Sequence, residues 1–183
     1  MEDGFPETIG RITRILEGLG LRFHFTGGVA ASYYGDPRLT QDLDLVIQIE
    51  TDQPEVRGLL DSLSSAYLIN ETAMLEAIRN HRLFQAIDQE SLIKIDFHVG
   101  EKIPGELGRS RRRELFPGLV APLVSQEDAI LSKLIWLRAG SHKAEHDLKM
   151  MLKRDEDLDR AALEQRAAAL GLDGLLGEVT RER

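Results

Sequence analysis

The first two thirds of the chain switch repeatedly between two spacings of apolar residues. From Pro6 to Leu19, Ile9, Ile12, Ile15, Leu16 and Leu19 recur at helical intervals, and Gly18 and Gly20 end the run. Leu21, Phe23 and Phe25 then alternate with polar residues, which predicts a strand running into the sharp break Thr26-Gly27-Gly28. Val29–Tyr34 predicts a short helix closed by Gly35, and Leu43–Ile49 a second strand. A helix follows Pro54, carrying Val56, Leu59, Leu60 and Leu63, and residues 67–80 read as a short strand and a helix. Leu83–Ile87 and Leu92–Val99 predict a hairpin around Asp88-Gln89-Glu90-Ser91. Residues 100–118 read as loop.

After Pro122 only helical spacing remains. Ser125 and Asp128 resemble a capping box, with Ile130, Leu131, Leu134 and Leu137 as the apolar stripe behind them. Further helices are expected over His142–Lys153 and Leu158–Leu170, with a last turn around Leu172, Leu175 and Leu176. The expected fold is α/β (α+β): a small mixed sheet flanked by helices over residues 1–120, and a C-terminal helical bundle over 121–183.

Composition narrows the function. Net charge is −8 over 183 residues, which disfavours nonspecific coating of nucleic acid, a task of clustered Lys and Arg. The absence of cysteine excludes disulfides, thiolate metal sites and thiol nucleophiles. No apolar run reaches the ~20 residues of a membrane span, and the acidic start MEDGFPETIG lacks a signal-peptide layout. The cytoplasm is the expected compartment.

The chemistry concentrates in Gly27-Gly28 and Asp42-Leu43-Asp44. Alternation along a strand puts Asp42 and Asp44 on one side, their Cα atoms roughly 6.5–7 Å apart. Two such carboxylates repel unless a cation or solvent relieves them, and hard divalent cations prefer such oxygens. In Ile93-Lys94-Ile95-Asp96-Phe97-His98-Val99, Lys94, Asp96 and His98 share the polar face, so Asp96 is a third acid if the two strands are neighbours. Glycines at a strand-to-helix turn let backbone N–H groups approach a phosphate. Arg38 and Thr40 lie between the glycines and Asp42; Arg38 either touches phosphate or braces the acidic strand.

Thr26-Gly27-Gly28, Asp42-Leu43-Asp44-Leu45 and Ile95-Asp96-Phe97 together resemble the signature of the nucleotidyltransferase superfamily, the polymerase-beta-like fold. The resemblance implies NTP binding through Mg²⁺, or Mn²⁺ in its place. Asp42, Asp44 and Asp96 would be the metal ligands, Asp96 would also activate the acceptor hydroxyl, and Gly27 and Gly28 would cradle the triphosphate. Glu127 to Trp136 and the later Asp147-Leu148 resemble uncharacterised bacterial relatives of the abortive-infection and type IV toxin nucleotidyltransferases. That likeness adds Lys133 and Asp147 to the expected site and an antitoxin as a possible partner. The acceptor it leaves open among tRNA, protein and small molecules. Aminoglycoside and lincosamide nucleotidyltransferases share the Gly-Gly to Asp-x-Asp stretch, and a non-catalytic nucleotide-binding module is the remaining alternative.

Other residues carry weaker expectations. His142 and His146 are spaced i, i+4 but lack further ligands in a motif, so a solvated face is expected. Arg109, Arg111, Arg112 and Arg113 are expected in a solvated loop, with an RNA acceptor as the alternative. Trp136 is expected in the core.

Overall fold

A computed structural model describes residues 4–37, 40–154 and 158–181. The elements run α1 (Phe5–Gly18), β1 (Arg22–Phe25), α2 (Gly27–Tyr34), β2 (Asp42–Gln48), α3 (Glu55–Ser64), β3 (Tyr67–Ile69), α4 (Glu71–Arg79), β4 (Leu83–Asp88) and β5 (Lys94–Val99). They continue as α5 (Glu106–Arg109), β6 (Arg111–Phe116), β7 (Leu119–Leu123), α6 (Gln126–Arg138), α7 (His142–Lys153), α8 (Arg160–Ala169) and α9 (Asp173–Arg181).

The strands form one sheet of order β3-β4-β5-β2-β1-β7-β6. β2 pairs parallel with β5, and β1 parallel with β7; β1–β2, β3–β4, β4–β5 and β6–β7 are antiparallel. The mixed α/β expectation therefore holds. Leu43, Leu45 and Ile47 of β2 are fully buried, as are Ile95 and Phe97 of β5. This apolar face joins Phe5, Ile9, Ile12 and Leu16 of α1 in one core that also takes in Ile130, Leu131, Leu134, Leu148 and Leu163 of the C-terminal helices. Position 120, the expected division, falls inside β7.

Three expectations are corrected. Residues 100–118 are not mainly loop: they contain α5 and β6, and β6 pairs with β7 as a hairpin. The turn 88–91 starts later than expected, because Asp88 ends β4 and is fully buried. Its carboxylate accepts from the Thr8 hydroxyl at 3.0 Å, from Arg11, and from the Glu90 amide at 2.9 Å. The turn around Leu172 to Leu176 extends into a full helix, α9. Among the described residues, no helix is long and apolar enough to cross a membrane.

Candidate active site

Strand register assembles the acids. In the parallel β2–β5 pair, Asp44 stands opposite Asp96, Asp42 opposite Lys94, and Val46 opposite His98. All three aspartates therefore lie on the sheet face away from Leu43 and Leu45. Beside them β1 ends at Phe25, and the Thr26 amide donates to the Asp44 carbonyl at 2.9 Å. That bond brings the first turn of α2 against Asp44. Gly27 has a φ of +57°, and a Cβ there would lie 2.7 Å from the Asp44 Cβ; one at Gly28 would lie 2.8 Å from the Thr40 Cβ. Neither contact is possible for a real side chain, so the close approach of backbone to Asp44 requires Gly27, and its approach to Thr40 requires Gly28.

Each acid has a cationic or hydrogen-bonding partner. Lys94 Nζ lies 3.1 Å from Asp96 Oδ2 and 3.5 Å from Asp42 Oδ2. The Gln85 amide donates to Asp96 Oδ1 at 2.9 Å. The Thr40 hydroxyl faces Asp42 Oδ1 at 3.2 Å and the Asp42 carbonyl at 3.1 Å. His98 Nε2 lies 3.3 Å from Asp44 Oδ1. Burial by itself would raise the Asp44 pKa. The His98 hydrogen bond and charge, the Lys133 charge and the Gly28 amide together outweigh burial and hold it below the usual carboxylate value. Lys94 is displaced in the opposite sense to what its own burial would produce, since Asp96 and Asp42 favour its charged form.

These residues border a cleft of about 190 Å³ lined by Gly27, Gly28, Thr40, Asp42 and Asp44 and, from α6, by Ser132, Lys133 and Trp136. Lys133 is not a solvated lysine: its side chain is 13% exposed and Nζ lies 2.8 Å from Asp147 Oδ2, with Asp147 buried on α7. Asp96, Lys94 and Asp147 are not among the residues lining this cleft; Asp96 pairs with Lys94, and Asp147 pairs with the cleft-lining Lys133. Arg38 lies outside the described residues. Trp136, expected in the core, is 47% exposed in the cleft wall.

The remaining arginines and histidines contribute little to the cleft. Arg109 is held by the fully buried Asp128, Nε to Oδ2 at 2.7 Å and Nη2 to Oδ1 at 3.0 Å. Arg111 to Arg113 lie on β6 rather than in a loop, and Arg112 pairs with Glu17. His146 is exposed on α7, as expected for a solvated face.

The donor set suits a hard divalent cation, since Asp42, Asp44 and Asp96 offer carboxylate oxygens from adjacent strands. Among the described residues no three acidic or histidine side chains form a ready-made ligand cluster, and the Lys94 ammonium bridges Asp42 and Asp96. Sequence reading missed Gln85, Lys102 and Glu106 as neighbours of the site. Lys94 and His98 were visible on the polar face of the third-acid strand, but their pairing with Asp42 and Asp44 depends on strand register.

Comparison with known proteins places this fold in a class. The antibiotic-resistance factor ANT(2'')-Ia in solution superimposes with a TM-score of 0.64 at 15% identity, covering 100% of both chains. Its crystal structure in complex with adenylyl-2''-tobramycin gives 0.61 at 16%, covering 90% of this chain and 95% of that one. An antigenic nucleotidyltransferase-like protein from Paracoccidioides brasiliensis gives 0.58 at 18%, covering 98% and 93%. The fold is that of the nucleotidyltransferases. Residues 13–182 match the family described as nucleotidyl transferase AbiEii toxin, type IV TA system; the chain belongs to that family and is a nucleotidyltransferase. No curated protein sequence matches it.

Proposed function

We propose that the chain moves a nucleotidyl group from an NTP to an acceptor hydroxyl, with a divalent cation, Mg²⁺ or Mn²⁺, held by Asp42, Asp44 and Asp96. The observation that carries this reading is the parallel register that sets Asp44 beside Asp96, with Asp42 on the same face and Gly27-Gly28 packed against Asp44. A cation on these carboxylates would supply charge neutralisation to the phosphates. The chain's own groups do the rest. The Gly27-Gly28 turn lets backbone N–H groups meet the triphosphate at the start of α2, and Lys133 adds a positive charge from the opposite wall. Asp147 holds Lys133 in place. Asp96, once Lys94 withdraws, accepts the proton of the acceptor hydroxyl. The acceptor oxygen bonds to the α-phosphorus, the bond from that phosphorus to the bridging oxygen breaks, and pyrophosphate leaves.

Family membership supports a toxin acting on tRNA or protein and restrained by an antitoxin partner. The test is incubation with each NTP labelled at the α-phosphate, Mg²⁺, total tRNA and cell lysate. Label should pass to one macromolecular class, should not pass from γ-labelled NTP, and should be lost in Asp44→Asn and Asp96→Asn. No transfer from any of the four NTPs would refute the reading, and label found only on an added aminoglycoside would replace the toxin reading with antibiotic modification.

A further inference from the structure

Trp136 is the chain's one tryptophan and stands 47% exposed in the cleft wall. Its helix has ample core contact without it, because Ile130, Leu131 and Leu134 are fully buried. One turn earlier on α6 is Lys133, about 4.5 Å along the helix axis, and both residues line the same cleft. The ring is covered by Lys102, whose Nζ sits 5.1 Å from the ring centroid, within cation–π range. Lys102 is held there by its backbone: its amide donates to Glu106 Oε1 at 2.8 Å, and Glu101 accepts from the amides of Gly105 and Leu107.

The cleft combines two kinds of lining. Gly27, Gly28, Thr40 and Asp42 supply backbone amides and polar oxygens, and Trp136 and the apolar Ile103 line the same cleft. Trp136, Lys102 and His98 also border an adjoining hollow with His81 and Arg82, which Gly27 and Gly28 do not line. A nucleotide combines the same two demands, charged phosphates and a flat π-face.

We infer that Trp136 is the stacking platform for the nucleobase of the NTP, the base taking the position over the ring that the Lys102 ammonium holds. The inference rests on the nucleotide reading above. Stacking on an aromatic ring tolerates every base, so Trp136 supplies affinity and positions the sugar and α-phosphate without selecting one NTP.

The single tryptophan makes the test direct. The full chain with Mg²⁺ is titrated with each NTP and with inorganic tripolyphosphate, followed by calorimetry and by tryptophan emission. NTPs should quench the emission, whereas tripolyphosphate should bind and compete with NTP but leave the emission near its starting value. Trp136→Ala should weaken NTP binding by about tenfold or more and leave tripolyphosphate binding unchanged, and Trp136→Phe should recover most of the loss. NTP binding of equal affinity in wild type and Trp136→Ala, with no quenching, would overturn the platform while leaving the nucleotide reading intact. Calorimetric silence for NTP and tripolyphosphate alike would instead remove the nucleotide reading, and this inference with it.

Discussion

At the scale of single residues, the site is a balance of charge. The three aspartates are legible in the sequence because strand alternation fixes which side chains share a face, and the glycines because they break a strand. Read alone, Asp42 and Asp44 predict repulsion. The structure relieves it with Lys94 between Asp42 and Asp96 and with His98 beside Asp44, partners that only strand register brings into place. On the proposed function, a cation on these carboxylates would compete with the Lys94 ammonium, which bridges Asp42 and Asp96. Lys94→Gln should therefore lower the melting temperature in EDTA, since Asp42 and Asp96 then face each other uncompensated. It should also enlarge the rise in melting temperature caused by Mg²⁺, because the ion no longer competes with a tethered ammonium. Thermal melts of both proteins across a Mg²⁺ series measure this directly. An equal Mg²⁺ response in the two would mean that Lys94 and the ion do not share a site.

At the scale of elements, helices and strands with a buried apolar face were readable, and those without one were not. β6 opens with Arg111-Arg112-Arg113-Glu114, a run with no alternation, so it reads as loop. It is one of the two edge strands of the sheet, where charge discourages pairing with other chains. Trp136 was misplaced for a related reason: helical spacing does not reveal whether a neighbouring element covers a residue near the end of the stripe. The short helix α5 carries another feature hidden from the sequence, Glu106, buried against the fully buried His24 with Nε2 to Oε2 at 3.5 Å. Burial pushes the Glu106 pKa up, but the His24 contact and the amides of Ile103 and Lys102 outweigh it and hold the carboxyl below its ordinary 4.5. A depressed folded-state value means that the unfolded chain takes up the proton first as pH falls. The stabilisation is complete above about pH 4.5 and is lost as pH drops through the lower folded value. Wild type should thus melt above Glu106→Gln at pH 6, with the gap closing as pH falls from 5 to 3. Melting curves over that range decide it, and a gap that stayed constant would show that the Glu106 charge contributes nothing.

At the scale of the molecule, the sequence shows a change of character near Pro122, from mixed spacing to purely helical, and that change tempts a reading of two independent parts. The physical connections run across it. The core that holds Phe5, Leu43 and Phe97 also holds Ile130, Leu134 and Leu148. Tyr34 at the end of α2 donates its hydroxyl to the Val124 carbonyl at 2.8 Å, and burial raises its pKa to about 12. Arg109 before β6 and Arg166 on α8 both reach the buried Asp128 of α6, the latter at 3.4 Å. The cleft has the same composite origin, with the glycines from the start of α2, Asp42 and Asp44 from β2, and Lys133 and Trp136 from α6. A chain ending at Val124 would leave the sheet-side partners of α6 and α7 in water and strip Arg109 of its carboxylate. Each large apolar side chain uncovered forfeits roughly 1.5–3 kcal/mol, against a total stability of about 5–15 kcal/mol for an ordinary domain. Losing the partners of Ile130, Leu131, Leu134 and Leu148 is enough to consume most of that margin. The full chain should consequently unfold in one transition by circular dichroism and by Trp136 emission, with coincident midpoints in urea. The shortened chain should show weak amide dispersion and bind a hydrophobic dye. A shortened chain with sharp, dispersed amide resonances and its own cooperative transition would mean that the sheet folds without its helical wall, and that the cleft is assembled from two separable halves.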